Sequence, residues 1–333
     1  MHSMIARAGR IIACVIPAFV LALGVSEAKA QATRYPERPI KIVVGFAPGG
    51  GTDVAARVVA QKLTESLGQS VLVENRPGAS GMIADEAVAK AAPDGYTLML
   101  GTQTTLAVAP ALYRKFNLDP SKEFVGISMA GISPLAMVVP PSLPAQSIKD
   151  VIAMAKAKPG SLNFGSGGVG TTPHMAGELF ALEAGLKIVH VAYRGEAPAI
   201  NDLLGGQLHF MFSNLSATIG NIRAGTLRAL AVTSPKRTSA APEIPTVAET
   251  ALPGFDAATW FSVVAPAGTP RDIVVKLNSE LKRQLVTPDT QRRFVELGMS
   301  SETSTPEELD AYIKSEIAKW SKVIKSANIP AAD

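Results

Sequence analysis

The sequence predicts an α/β protein with two domains, each built on a parallel sheet that has helices on both faces. Apolar runs typical of buried strands alternate with amphipathic runs typical of helices along most of the chain. The 333 residues, 47% hydrophobic and 18% charged, are enough to bury two cores of ordinary size. In addition, the unit of strand, glycine-rich turn and helix occurs twice, once in each half of the chain.

The first thirty residues are typical of a signal peptide. Arg7 and Arg10 precede the apolar stretch "IIACVIPAFVLALGV", and the small residues around Lys29 predict cleavage after about Ala30. The apolar stretch is shorter than the roughly 18 to 20 residues that a membrane-spanning helix needs. Cys14, the only cysteine, lies in this segment, so the mature chain is expected to contain no thiol and to reside in the periplasm. Its nearly balanced charge predicts no binding to nucleic acid.

The alternation of strands and helices begins after this segment. Strands are predicted at "IKIVVGF", "VLVEN" and "YTLMLGT", with helices at "DVAARVVAQKLTESL" and "IADEAVAKAA" between them. Gly68 is expected to end the first of these helices. The pattern continues from "LAMVVP" to "RALAVTS" in the middle of the chain. After the strand "WFSVVAP" only helical patterns follow, and we expect these helices to pack on the first sheet.

Two glycine-rich turns, "GFAPGGGTD" and "GSGGVGTTPH", each join a predicted strand to a predicted helix. Glycine allows a ligand to approach the backbone closely, and the first N–H groups of a helix have no partner within the helix. Those groups also carry the positive end of the helix dipole. Two such turns that face each other would bind a small anion from both sides, although glycines that serve only tight turns are the simpler alternative.

Nucleotide binding and catalysis fit the sequence less well. The first turn begins like a phosphate-binding loop, but Gly51 occupies the position of the required lysine. The second turn contains a G-x-G-x-x-G pattern, but the following strand ends in Tyr193-Arg194 instead of the acidic residue that a dinucleotide site needs. Phe164 breaks a G-x-S-x-G pattern, and the histidines lack metal-ligand spacing. We therefore expect no cofactor, no metal and no enzymatic activity.

Several segments resemble the TctC/Bug family, the extracytoplasmic solute-binding components of tripartite tricarboxylate transporters. They include "YPERPIKIVVGFAPGGGTDVAARVVAQKL", "VENRPGASG", "LNFGSGGVGTTPHMAGELF" and "VAYRGEAPAINDLLGGQLHFMF". The resemblance implies a two-domain Venus-flytrap periplasmic binding protein. It also implies that the glycine turns contact a ligand carboxylate through backbone N–H groups and water, and that a large and a small integral-membrane subunit receive the ligand. The chain itself is expected to be a monomer.

The resemblance also implies a domain map. Domain 1 is expected at residues 35–131 and 259–328, and domain 2 at residues 132–258, after the signal peptide at residues 1–30. Two crossover strands would then form a hinge, with the ligand cleft between the domains.

The positions of residues within the two turns and at strand ends predict the ligand site. Asp53 is expected to support the first turn, and Gln103 and Thr104 are candidates for a distal carboxylate because they follow a strand at its carboxyl end. His174 has two open interpretations, a pocket residue or a surface residue. The predicted ligand-binding residues are Phe46, Gly49, Gly50, Gly51, Thr52, Gln103, Thr104, Ser166, Gly167, Gly170, Thr171, Thr172, His174, Glu196 and Ser213.

Two positions depart from the family pattern. Glu196 stands where a small residue is more frequent, and Ser213-Asn214 stands where an acidic residue is common. A cleft-facing Glu196 would repel a second ligand carboxylate or accept a hydrogen bond from the ligand. Alternatively, this residue is an acid at a helix N-terminus that the helix dipole stabilises.

The predicted function is the capture of a small carboxylate, a C4 to C6 dicarboxylate, a tricarboxylate or an aromatic acid, for a tripartite tricarboxylate transporter. A ligand-presenting sensor for a membrane kinase and a secreted α/β enzyme are the alternatives.

Overall fold

The computed structural model describes residues 35–114, 116–326 and 329–332. The predicted signal peptide lies outside these residues. Within the described ranges, no helix is both long enough and apolar enough to cross a membrane.

The described part of the chain is an α/β structure. Its strands are β1 (Ile40–Val44), β2 (Val71–Asn75), β3 (Thr97–Thr102), β4 (Phe124–Val139), β5 (Asn163–Ser166), β6 (Val189–Ala192), β7 (Phe210–Asn214), β8 (Arg228–Val232) and β9 (Ala258–Pro266). Its α-helices are α1 (Gly51–Leu67), α2 (Met82–Ala89), α3 (Ala109–Leu112), α4 (Pro120–Glu123), α5 (Ile148–Ala157), α6 (Thr172–Ala184), α7 (Glu196–Leu204), α8 (Leu215–Arg223), α9 (Val247–Thr250), α10 (Arg271–Leu285), α11 (Pro288–Glu296) and α12 (Pro306–Ser326). A 3₁₀ turn (Ala79–Gly81) precedes α2, and a π-helical turn (Thr104–Val108) precedes α3.

The strands follow the order β2-β1-β3-β9-β4-β7-β5-β6, and β8 also pairs with β4. β1 is parallel to β2 and β3, and β5 is parallel to β6 and β7, as the alternation of strands and helices predicts. β4 and β9 depart from that pattern because they are antiparallel to each other and to their other neighbours. The expectation of purely parallel sheets is therefore wrong at the centre of the structure.

The long strand β4 connects two lobes. Its first part, up to Pro134, pairs with β9, and from Leu135 onward it pairs with β7 and β8. We call the sheet of β2, β1, β3, β9 and the first part of β4, with its helices, the first lobe. The sheet of β5 to β8 and the rest of β4, with its helices, is the second lobe. The domain boundaries expected near residues 131 and 258 stay a prediction.

Each lobe has apolar clusters on both faces of its sheet. In the first lobe, Val59 of α1 and Leu281 of α10 pack with Phe261 of β9, and Trp320 of α12 belongs to the cluster on the other face. The C-terminal helices α10 and α12 thus cover the first lobe. Phe210 lies in one of the second-lobe clusters and is fully buried. Burial of such a side chain contributes about 1.5–3 kcal/mol to the free energy of unfolding.

Local signals fix the ends of the two helices that follow the glycine turns. Gly68 and Gly185 adopt left-handed backbone angles after α1 and α6, with φ of 68° and 63°, and therefore end these helices. Thr171 caps the start of α6, because its hydroxyl accepts a hydrogen bond from the His174 N–H, and Pro173 occupies the first turn. α1 and α6 therefore begin directly at the two glycine turns.

Candidate functional site

A small cavity of about 30 Å³ lies between the two lobes, where the glycine turns face each other. We call residues 45–52 the first glycine turn and residues 165–172 the second glycine turn. The cavity is lined by residues of both turns and of neighbouring strand ends: Phe46, Gly50, Gly51, Thr52, Thr102, Thr104, Gly167, Thr171, Thr172, Pro173, Glu196, Asn214 and Thr259.

Asp53 holds the first glycine turn in place. Its Oδ2 accepts hydrogen bonds from the Gly49 N–H (3.0 Å) and from Arg57 Nε (2.9 Å), and its Oδ1 accepts one from Asn75 Nδ2 (3.0 Å). Burial acts to raise the pKa of this carboxyl, but the hydrogen bonds outweigh burial and lower the pKa below its usual value. Gly49 has a positive φ of 86°, a conformation that favours glycine. Asp53 thus joins the first glycine turn to α1 and to the end of β2.

The first glycine turn directs several N–H groups toward the second lobe. The Gly51 N–H donates to Glu196 Oε2 across the cavity at 3.3 Å. Among the described residues, the N–H groups of Gly50 and Thr52 have no acceptor. These two groups stand at the positive end of the α1 dipole and can receive an anion.

The second glycine turn uses more of its own donors internally. The Gly168 N–H donates to Ser166 Oγ (3.1 Å), and the Gly170 N–H donates to His174 Nδ1 (3.1 Å). The Thr172 N–H donates to Thr104 Oγ1 of the first lobe at 3.2 Å. The Gly167 N–H lacks an acceptor within the part of the chain that the structure describes. Gly167 is therefore the N–H donor that this turn still offers at the cavity.

Two histidines that are not part of the cavity lining contact the second glycine turn. The rings of His174 and His190 lie 4.0 Å apart, and His190 Nε2 is 2.6 Å from Ser166 Oγ. Burial, together with the nearby His174, lowers the pKa of His190 to about 3. His174 Nδ1 accepts a hydrogen bond from the Gly170 N–H, and its Nε2 lies 3.5 Å from Glu178. Both side chains therefore support the turn, and neither is part of the cavity lining.

Glu196 is the acidic side chain of the cavity lining. It begins α7, is only 8% exposed, and accepts four hydrogen bonds. Oε1 accepts from the Asn214 N–H (2.8 Å) and Ser213 Oγ (3.1 Å), and Oε2 accepts from Asn214 Nδ2 (2.8 Å) and Gly51 N–H. Burial raises the pKa of Glu196, whereas these hydrogen bonds act to lower it. Glu196 therefore lies at a helix N-terminus and is also part of the cavity lining, and its role toward a ligand stays a prediction.

The structure brings together nine of the residues predicted to bind the ligand. Those that line the cavity are Phe46, Gly50, Gly51, Thr52, Thr104, Gly167, Thr171, Thr172 and Glu196. The lining does not include Gly49, Gln103, Ser166, Gly170, His174 and Ser213. Polar groups of these six residues serve contacts within the protein. For example, the Gln103 amide, oriented to donate, reaches Thr172 Oγ1 (3.0 Å) and the Ala258 carbonyl (3.1 Å).

The sequence-based prediction missed four lining residues, Thr102, Pro173, Asn214 and Thr259. Thr102 and Asn214 end β3 and β7, so the rule that ligands bind at strand ends could have identified them. Pro173 lies within the predicted turn "GSGGVGTTPH", but a proline has no N–H group to offer a ligand. Thr259 lies on β9, and no local signal marks it.

Metal binding has no support in the described ranges, where no three His, Cys, Asp or Glu residues cluster in a way that could hold an ion.

Comparison with known proteins identifies the family. The family model described as "Tripartite tricarboxylate transporter family receptor", TctC, matches residues 55–329. The chain belongs to this family. This TctC protein is also similar to three solved structures. One is a protein of R. palustris with adipate, with a TM-score of 0.87, 38% identity, and coverage of 89% of this chain and 99% of that chain.

The second solved structure is the periplasmic binding protein BugD, with a TM-score of 0.84, 35% identity and coverage of 89% and 99%. The third is MatC from Rhodopseudomonas palustris with bound malate, with a TM-score of 0.82, 30% identity and coverage of 87% and 100%. The predicted two-domain fold of a periplasmic binding protein is confirmed by these relatives. Like them, this TctC protein is a solute-binding protein and not an enzyme.

Proposed function

We propose that this TctC protein captures a small carboxylate in the periplasm and delivers it to the membrane subunits of a tripartite transporter. The observation that carries the proposal is the convergence of two glycine turns, each opening a helix, on one cavity between the lobes. The solved relatives that contain adipate and malate support a carboxylate as the ligand. The family supports membrane transporter components as the partners.

In the proposed binding mode, the backbone holds the ligand carboxylate. The N–H groups of Gly50 and Thr52 approach it from the first lobe, and the Gly167 N–H approaches it from the second. Thr104 lies in the same lining, and its hydroxyl group can add a hydrogen bond directly or through water. Fixed dipoles of this kind interact more strongly with an anion between closed lobes than in bulk water.

Direct contacts between the lobes are expected to favour the closed state. The hydroxyl groups of Tyr113 and Ser80, in the first lobe, reach the Val169 carbonyl of the second lobe at 2.7 and 2.6 Å. The contacts of Thr172 with Thr104 and of Gly51 with Glu196 also join the lobes. We propose that the ligand completes this set of contacts, so that binding and closure are coupled. β4, which runs through both lobes, and the start of β9, where the chain returns to the first lobe, would then act as the hinge.

Thermal denaturation of the purified protein in the presence of mono-, di- and tricarboxylates, aromatic acids and amino acids tests the proposal. A ligand present at 100 times its Kd should add about 2.7 kcal/mol to the free energy of unfolding. Sugars and cationic amines without a carboxyl group serve as controls and should leave Tm unchanged. The proposal fails if no carboxylate raises Tm.

A further inference from the structure

We propose that the cleft selects a carboxylate that carries an amino group and no second negative charge, in preference to a dicarboxylate. This inference rests on the proposed function and narrows its ligand class. Its basis is the juxtaposition, in one cavity lining, of a buried glutamate, a buried amide oxygen without a donor and a set of free backbone N–H groups.

The charges of the cavity lining favour a ligand with little net charge. Glu196 is an acid, and the lining contains no lysine, arginine or histidine. Arg194 is exposed and lines a neighbouring depression with Pro77 and Tyr193 instead. A dicarboxylate would thus place its two negative charges beside the charge of Glu196, with only backbone N–H groups and hydroxyls to balance them. An amino-carboxylate brings its own positive charge.

The hydrogen bonds of Glu196 favour its ionised form. Three of its four partners are N–H groups, from Gly51 and from the backbone and side chain of Asn214, and these can only donate. If Glu196 were protonated, its O–H would point at a group that can only donate, unless it pointed at Ser213 Oγ, which can also accept a hydrogen bond. Burial raises the pKa of Glu196, and these donors act against that rise by favouring a negative charge close to the start of α1.

Two residues of the lining also carry a polar side-chain atom that is buried and lacks a partner among the described residues. They are Asn214 Oδ1 and Thr259 Oγ1, and their residues are only 4% and 3% exposed. Because Asn214 Nδ2 donates to Glu196, the amide orientation is fixed and Oδ1 remains an acceptor. Buried acceptors of this kind are destabilising unless a donor satisfies them. An amino group on the ligand can donate to Asn214 Oδ1, which a second carboxylate cannot do, whereas the Thr259 hydroxyl can pair with either group.

Isothermal titration calorimetry with ligands of equal chain length tests this inference on the unaltered protein. One series is butanoate, 2-aminobutanoate, 4-aminobutanoate and succinate, and the other is hexanoate, 2-aminohexanoate, 6-aminohexanoate and adipate. In at least one series, an amino-carboxylate should bind at least tenfold more tightly than the dicarboxylate, a difference of about 1.4 kcal/mol. If dicarboxylates bind as tightly or more tightly in both series, the inference is wrong while the proposed function stands. If no member of either series binds, the inference also fails, and the wider carboxylate panel then decides whether the proposed function fails with it.

The variant Glu196→Gln tests whether this side chain sets the preference. The substitution keeps the shape and removes the charge, so the ratio of amino-carboxylate to dicarboxylate affinity should fall at least tenfold. Glu243→Gln removes a charge from an exposed loop of the second lobe and should leave the ratio unchanged. An unchanged ratio in a folded Glu196→Gln protein would overturn the role of Glu196. If that variant does not fold, the comparison of ligands on the unaltered protein still decides the inference.

Discussion

The substitution Gly51→Ala is expected to weaken ligand binding without unfolding the protein. A Cβ atom at Gly51 would lie 2.6 Å from Ser216 Oγ and 2.7 Å from Asn214 Cβ, both in the second lobe. Ordinary contacts of a Cβ atom begin near 3.4 Å, so the lobes would have to separate by roughly 0.7 Å or more at this point. Such a shift lengthens the hydrogen bond from the Gly51 N–H to Glu196 Oε2, in which the two heavy atoms are now 3.3 Å apart.

The expected loss of affinity follows from that hydrogen bond. A hydrogen bond to a charged group contributes about 1.5–3 kcal/mol, which corresponds to roughly a tenfold to hundredfold increase in Kd. The free energy of unfolding should stay equal or rise by up to about 1 kcal/mol, because alanine is favoured over glycine in a helix. Calorimetric titration with a carboxylate from the thermal screen measures Kd, and thermal denaturation without ligand measures the change in stability.

Gly220→Ala provides the matched control for this experiment. Gly220 lies within α8, and a Cβ atom added there would meet no neighbouring group within 4 Å, so the substitution should leave Kd unchanged. The reasoning is refuted if Gly51→Ala binds its ligand as the unaltered protein does. A sharp fall in Tm with an unchanged Kd would show that Gly51 makes a folding contact and not a closing contact.

Two further substitutions test other parts of the structure. Tyr113→Phe removes one of two hydroxyl groups that donate to the Val169 carbonyl, and the lost hydrogen bond should weaken binding by about 0.5–1.5 kcal/mol. Calorimetry should therefore show roughly a twofold to tenfold higher Kd. The control Tyr312→Phe should leave Kd unchanged. Asp85→Ala should raise the free energy of unfolding by about 1–3 kcal/mol at pH 8, because Asp85 is fully buried and neither carboxyl oxygen has a partner among the described residues. Burial raises the pKa of Asp85 well above its usual value, so the unaltered protein should lose stability as pH rises from about 4 through the raised pKa. Chemical denaturation across that range should show that the free energy of unfolding depends less on pH in Asp85→Ala. The same pH dependence in both proteins would show that Asp85 is not its cause.

The glycine turns and the helices that follow them could be predicted from sequence because their signals are local. Gly68 ends α1 through a left-handed conformation that glycine adopts without strain. Thr171 caps α6 through a hydroxyl only three residues from the N–H group it binds. Each signal lies within a few residues of the structure it determines, so no knowledge of the tertiary fold is needed.

The composition of the cavity could be predicted only in part, because it depends on contacts between distant residues. Glu196 and Gly51 are 145 residues apart in the sequence, and no local pattern predicts the hydrogen bond between them. Thr259 reaches the lining because β9 pairs with both β3 and β4, an antiparallel arrangement that the alternating pattern does not predict. In the same way, Gly170 has the sequence context of a ligand donor, but its N–H group is used by His174.

In the proposed binding mode, a carboxylate binds between the backbone N–H groups of the two glycine turns. This mode can be tested by titrating ¹⁵N-labelled protein with the tightest carboxylate from the thermal screen and following the amide chemical shifts. We expect large shift changes for Gly50, Thr52 and Gly167, with little change for Gly68 and Gly185 at the far ends of α1 and α6. Unchanged amide shifts of the two turns under ligand saturation would contradict it.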